Sequence, residues 1–324
     1  MLRSKNPKVP TLNVMLEEWD YLIVLDACRY DFFSVVYTKF LDGNLKKICS
    51  VGSCTPEWCI NTFTEYYSDV IYISANPYIN SLCEISGFDT RRFFFRFNPR
   101  RHFFKIVDVW ATHWDRELGT VLPESVNKVV LRYIDSFSSK RFVIHYLQPH
   151  EPYILHNMQR EHRYAKPNPT EGRILRVEGN NSSSRKTDIL VYIIGSLAEQ
   201  FHIIPNRWKV REWLNMPPSS PMDAVRRSRG DRYLRKMYMA NLLLVLSAVS
   251  DLCAHLDGKV VVTSDHGEFL GEGGKYGHWW SSDHPILLEV PYLNVNNVAK
   301  RKLRGIRKFL LRKKIEKLRP VLKR

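Results

Sequence analysis

Three short apolar runs constrain the fold of this chain more than anything else in it. Tyr21–Asp26 reads YLIVLD, Phe142–Leu147 reads FVIHYL and Lys259–Asp265 reads KVVVTSD. Continuous rather than alternating hydrophobicity marks strands buried on both faces, as in a parallel sheet covered by helices. Helical spacing lies between the runs. Val126, Val129, Val130, Tyr133 and Ile134 repeat one face, with Pro123 near the start. Leu242, Val245, Leu246, Val249, Leu252, Cys253 and Leu256 form a longer stripe, with Gly258 as its stop signal. Strands alternating with helices predict an α/β fold, a three-layer sandwich around a mostly parallel central sheet.

Hydrophobic residues make up 44% of the 324, a globular composition that excludes a disordered chain. Six cysteines without a CxxC pair exclude a disulfide scaffold and a zinc knuckle. No apolar signal-peptide core opens the chain. The most apolar stretch, Leu242–Leu256, contains Asp251 and is too short to cross a bilayer. These features predict a cytoplasmic, non-spanning protein with free thiols. Residues 155–236 carry PNPT, GNNSSS and MPPSSP, which is turn chemistry. The segment reads as an insertion with a few helices, one near Ile189–Gln200, and serves as a lid or as surface elaboration.

The formal net charge of +16 is unevenly spread. Residues 301–324 hold twelve Lys and Arg against one acid, and residues 155–236 hold sixteen against eight. The rest holds 21 against 24 and is slightly acidic. A nucleic-acid enzyme would more often carry a basic groove at its site, so nucleic acid is an unlikely partner. The tail 299–324 has apolar residues at helical spacing, which predicts a basic amphipathic helix suited to an anionic membrane surface. That would make the protein peripheral on the inner face of the membrane; a solvated helix packed on the body is the alternative. Residues 91–105 interleave Arg and Phe and read as a loop with its Phe side chains buried.

Chemistry gathers at the strand ends. Asp26 closes the first run, and Asp265 and His266 close the last. Ligands of open α/β sheets bind at the carboxyl ends of strands. Two carboxylates and an imidazole suit one divalent ion, provided the chain leaves the strand at Gly267 so that Asp265 and His266 face one point. His150, in QPHEPY, belongs to the same edge. His278 can return to it through the loop GEGGKYGH. The turn Ser50–Trp58, SVGSCTPEW, packs three hydroxyls and a thiol around a glycine and can present a nucleophile to a metal. Arg29 follows Asp26 closely, to stabilise an anionic group or to pair with Asp31 or Glu57.

Taken together, LIVLDACRYD, GSCTPEW, IHYLQPHEPY, VVVTSDHGEFLGEGGKYGH and LLEVPYL resemble the alkaline phosphatase superfamily, more narrowly its sulfatase-like branch. The resemblance runs from about Tyr21 to about Leu293, with most of 155–236 outside it. It implies an alkaline-phosphatase-like domain over residues 1–298 and a basic tail over 299–324. It implies Asp26, Asp265 and His266 as metal ligands, and His150 and His278 as contacts to the transferred group and leaving oxygen. Sulfatases oxidise the cysteine of Cys-x-Pro-x-Arg to formylglycine. Here Cys54-Thr55-Pro56-Glu57-Trp58 lacks the arginine, so Thr55 is favoured over Cys54 as nucleophile and as a further metal ligand. Ala27 stands where sulfatases have a second aspartate. One divalent ion is expected, with a second left open, and the donors suit zinc, manganese, calcium or magnesium alike. The implied activity is hydrolysis or transfer of a phosphate or sulfate ester, on a lipid head group or lipid-linked glycan. The alternatives are an inactive member binding anionic glycans and a nucleic-acid phosphodiesterase.

Overall fold

The computed structural model describes residues 9–88, 94–157, 159–168 and 211–296. Its centre is a seven-stranded sheet built from β1 (Tyr21–Leu25), β2 (Gly43–Cys49), β3 (Tyr67–Ser74), β4 (Phe103–Asp108), β5 (Arg141–Tyr146), β6 (Val260–Thr263) and β7 (Glu289–Val295). The order is β2-β7-β6-β1-β5-β3-β4. β7 runs antiparallel to both its neighbours; the other pairings are parallel. The fold is therefore α/β with a mixed, mostly parallel sheet. All three apolar runs of the sequence are strands in its middle, where both faces are covered.

Alternate side chains divide between two cores. Ile23, Leu25, Ile71, Ile73, Phe142, Ile144 and Val262 face α2 (Pro123–Ile134) and α3 (Pro221–Cys253). Leu22, Val24, Val70, Tyr72, Val143 and Val261 face α1 (Thr55–Thr62), which contributes Trp58 and Cys59. Each such side chain, fully buried, stabilises the fold by about 1.5–3 kcal/mol. Pro123 opens α2 as expected, and its Asn127 ties the layers by donating to Ala248 O of α3 and accepting from the Tyr146 hydroxyl of β5.

The long helix differs from expectation at both ends. It begins at Pro221, because Ser220 caps it by accepting from Asp223 N and Pro221 fits the first turn. The segment expected as an insertion to residue 236 therefore ends in helix: Met222, Val225 and Leu234 pack with Tyr153 and Leu270. Gly230, at φ 77°, breaks the helical geometry inside it. The helix stops at Cys253, and Gly258 shapes the turn into β6 instead. By length and composition α3 is apolar enough to cross a membrane, but 67% of its most apolar window is buried, as in a core helix. The expected helix at Ile189–Gln200, most of the 155–236 segment and the tail 299–324 lie outside the described residues.

The Arg/Phe segment divides. Phe97 and Phe103 are buried, whereas Phe94 is 60% and Phe104 43% exposed. Phe95 stacks on Trp280, two residues from His278. None of the six cysteines is in a disulfide.

Candidate active site at the carboxyl edge of the sheet

Three crossings bring the site together. Asp26 leaves β1 with its N–H on Tyr146 O of β5. Ala27 follows at φ 58°, a left-handed geometry that costs a non-glycine residue about 1–3 kcal/mol. The surroundings hold it there. Ala27 N donates to Asp265 Oδ1 at 3.1 Å, Cys28 N donates to Ser264 Oγ at 2.7 Å, and the Tyr238 hydroxyl of α3 donates to Ala27 O at 2.7 Å. Asp265 and His266 sit just past β6. Gly267 is needed there for close approach rather than for an unusual φ, since a Cβ would lie 2.0 Å from Ile286 O. The third crossing is the turn before α1, where Ser50 Oγ donates to Asp265 O. Gly52 passes so close to Trp58 N that a Cβ would lie 2.2 Å from it. Thr55 is the first residue of α1.

These turns converge on one buried point. Thr55 Oγ1 donates to Asp265 Oδ2 at 2.8 Å and lies 3.3 Å from His266 Nε2. His266 Nδ1 spends its proton on Gly267 O at 2.8 Å, so Nε2 turns a lone pair toward Asp265 Oδ2 at 3.3 Å and Asp26 Oδ1 at 3.7 Å. Asp26 Oδ2 accepts from Asn76 Nδ2 at 2.7 Å, while its Oδ1 is buried without a hydrogen-bond partner. Burial and the nearby carboxylates of Asp265 and Glu268 push the Asp26 carboxyl well up, and burial pushes His266 well down. Lone pairs facing one another in a dry site, one of them orphaned, call for a proton or a metal cation between them. Carboxylate and imidazole donors at these separations fit a divalent ion.

A second group lies alongside. His278 Nδ1 is 3.2 Å from Glu268 Oε1, and His150 Nε2 is 3.9 Å from the same oxygen. The His278 ring centroid is 4.2 Å from that of His266 and 5.4 Å from that of His150. Burial pushes Glu268 up to about 8 and His278 down to about 3. His150, Glu268 and His278 form one of two groups able to hold a metal among the described residues; Asp26, His145 and Asp265 form the other.

Arg29 is taken up by the protein itself. Its guanidinium pairs with Asp31 and with Glu272 at 2.7 Å and donates to Glu268 O at 3.2 Å. The ion-pair alternative is the one observed, with Glu272 in place of Glu57. Glu57 instead accepts from Ser53 N and Oγ and braces the Thr55 turn. Cys54 is the N-cap residue of α1. Four contributors escaped the sequence: Asn76, Glu268, His145 and Asn241. Asn241 of α3 is fully buried and clamps the His150 loop. It donates to His150 O and Pro152 O at 3.1 and 3.0 Å and accepts from Ile154 N at 2.9 Å.

No protein-family model and no curated protein matches the sequence. Solved structures do match. The soluble domain of lipooligosaccharide phosphoethanolamine transferase A from Neisseria meningitidis is 12% identical, with a TM-score of 0.44, over 91% of this chain and 81% of that one. The C-terminal periplasmic domain of phosphoethanolamine transferase EptC from Campylobacter jejuni is 14% identical, with a TM-score of 0.42, over 89% and 81%. Phosphonate monoester hydrolase from Silicibacter pomeroyi is 13% identical, with a TM-score of 0.40, over 91% and 69%.

Proposed function

We propose that the chain is a metal-dependent hydrolase or transferase acting on a phosphate or sulfate ester through a covalent intermediate on Thr55. The observation that carries this reading is the convergence of Thr55 Oγ1, Asp265 Oδ2, His266 Nε2 and the unpartnered Asp26 Oδ1 on one buried point. Asp26, Asp265, His266 and Thr55 hold one divalent ion. Such an ion, when bound, polarises an anionic oxygen and lowers the pKa of a nearby hydroxyl. Asp265 orients the Thr55 hydroxyl by accepting its hydrogen bond. Thr55 passes its hydroxyl proton to Asp265 Oδ2, and its oxygen forms a bond to phosphorus or sulfur as the bond to the ester oxygen breaks, that oxygen leaving with the bonding pair to take a proton from water. His150 and His278 contact the transferred group and the leaving oxygen, with His278 as a neutral hydrogen-bond donor. Water then releases the acid, or a second alcohol takes up the group; hydrolase and transferase differ only in that acceptor. Arg29 serves the frame of the site through its ion pairs. The basic composition of 299–324 favours a lipid head group or a lipid-linked glycan at an anionic membrane as the substrate.

The test is a turnover screen of the metal-loaded chain on nitrophenyl phosphate, bis-nitrophenyl phosphate and nitrophenyl sulfate, with acid quench and peptide mapping. An adduct on Thr55 supports the reading. Turnover with formylglycine at Cys54, or without any Thr55 adduct, overturns it.

A further inference from the structure

We infer that His145 is a further ligand of the ion held by Asp26, Asp265, His266 and Thr55, so that the centre offers two imidazoles and two carboxylates beside the Thr55 hydroxyl. The inference rests on the metal reading above. It starts from an anomaly, a histidine in the middle of a buried parallel sheet. His145 lies on β5 opposite Val24 of β1 and Ser74 of β3. Its side chain shares the sheet face of Val143, the face from which Asp26 continues Leu22 and Val24 and Asp265 continues Val261. The residue is fully buried, and its Nε2 has no hydrogen-bond partner.

That nitrogen points into the same centre. His145 Nε2 is 3.9 Å from Asp265 Oδ2. Asp26, His145 and Asp265 each offer a ligand atom within 4.8 Å of the others. Metal–ligand bonds of about 2.0–2.2 Å in a tetrahedral site set neighbouring ligands about 3.3–3.6 Å apart. The separations here are 3.3, 3.7 and 3.9 Å for His266–Asp265, His266–Asp26 and His145–Asp265. These three separations lie within a few tenths of an ångström of that range. At 3.9 Å an Nε2–H would be too far from Asp265 to make a hydrogen bond. On the far side of the ring, Nδ1 is 2.8 Å from the Tyr72 hydroxyl. A hydrogen bond from Nδ1–H to that oxygen fixes the tautomer that leaves Nε2 free to ligate, the usual arrangement behind a metal-bound histidine. The turn after β1 has only one carboxylate to give, because Ala27 follows Asp26. His145 supplies a further donor from the adjacent strand.

The experiment uses the full chain carrying His150→Ala and His278→Ala, which removes the neighbouring imidazoles, loaded with one equivalent of zinc. Zinc-edge X-ray absorption should count two imidazoles. Adding His145→Gln should reduce the count to one and weaken zinc binding more than about 100-fold in a chelator competition. Tyr72→Phe, which deletes only the hydroxyl, should keep two imidazoles and weaken binding about 10-fold. Circular dichroism checks that each variant folds; if His145→Gln does not, the count in the parent chain decides. One imidazole in that parent, or equal count and affinity with and without His145, overturns the inference and leaves the metal reading standing. No zinc bound by the parent or by the unsubstituted chain overturns the metal reading itself.

Discussion

The hydroxyl of Thr55 donates to Asp265 Oδ2 at 2.8 Å, joining the first turn of α1 to the end of β6 across 210 residues of sequence. Cys54, its neighbour in the same turn, is the N-cap residue of α1. The account therefore expects the two residues to behave differently. Thr55→Ala should lower kcat on any substrate found by about 10³-fold or more with the fold intact, and Cys54→Ala should cost about 10-fold or less. Steady-state kinetics beside circular dichroism measures this. An active Thr55→Ala with a dead Cys54→Ala would move the nucleophile to the thiol.

Stability should depend on pH in a way that metal reverses. Without metal, the folded protein keeps the Glu268 proton up to about 8, whereas the unfolded chain releases it near 4.5; Asp26 is shifted in the same direction. The folded state then binds more protons through this window, and stability falls as pH rises toward 8. The buried histidines act oppositely. His145 and His278 stay neutral down to about 4 and about 3, so below 6.5 the unfolded chain takes up protons that the folded one refuses. Stability falls again as pH drops. With His266 depressed as well, three histidines outweigh the two carboxyls below 6.5, so the chelated protein should show its highest Tm at about pH 6.5, and a divalent ion should remove the loss above it. A chelated Tm that climbs steadily from pH 6 to 8 contradicts the assignment.

The His150 loop hangs on one amide. Asn241→Leu leaves the carbonyls of His150 and Pro152 and the N–H of Ile154 without their buried partner. It should cost about 2–4 kcal/mol of stability. Urea unfolding reads the loss, and a change below about 1 kcal/mol would show that the clamp does not hold the loop.

The sequence made Asp26, Asp265 and His266 legible because apolar runs end at them, and the sheet does place those ends together. His145 stayed hidden because a single polar residue inside FVIHYL passes for core. Glu268 sits beside the recognised Asp-His pair and was passed over as its neighbour. Asn76 and Asn241 act through contacts with partners far along the chain, which no local spacing encodes. The start of α3 carried a readable signal, Ser220-Pro221 with Asp223, but the preceding MPPSSP turn chemistry masked it. Arg29 has Asp31 within its own turn, whereas only the fold brings Glu272 to it.

The basic tail makes a separate prediction. Each Lys or Arg near an anionic surface contributes about 1 kcal/mol, screened over roughly 8–10 Å at physiological salt. Deleting residues 299–324 should abolish sedimentation with anionic liposomes while leaving turnover of a small soluble ester unchanged. Equal vesicle binding by full-length and shortened proteins refutes the tether.

The most direct test of the central claim is the metal content of the purified chain after equilibration with a divalent ion, wild type against Asp265→Ala. The account predicts at least one bound ion per wild-type chain and one fewer in the variant, since Asp265 is the carboxylate shared by Thr55 and His266. Equal metal in the two proteins would contradict it.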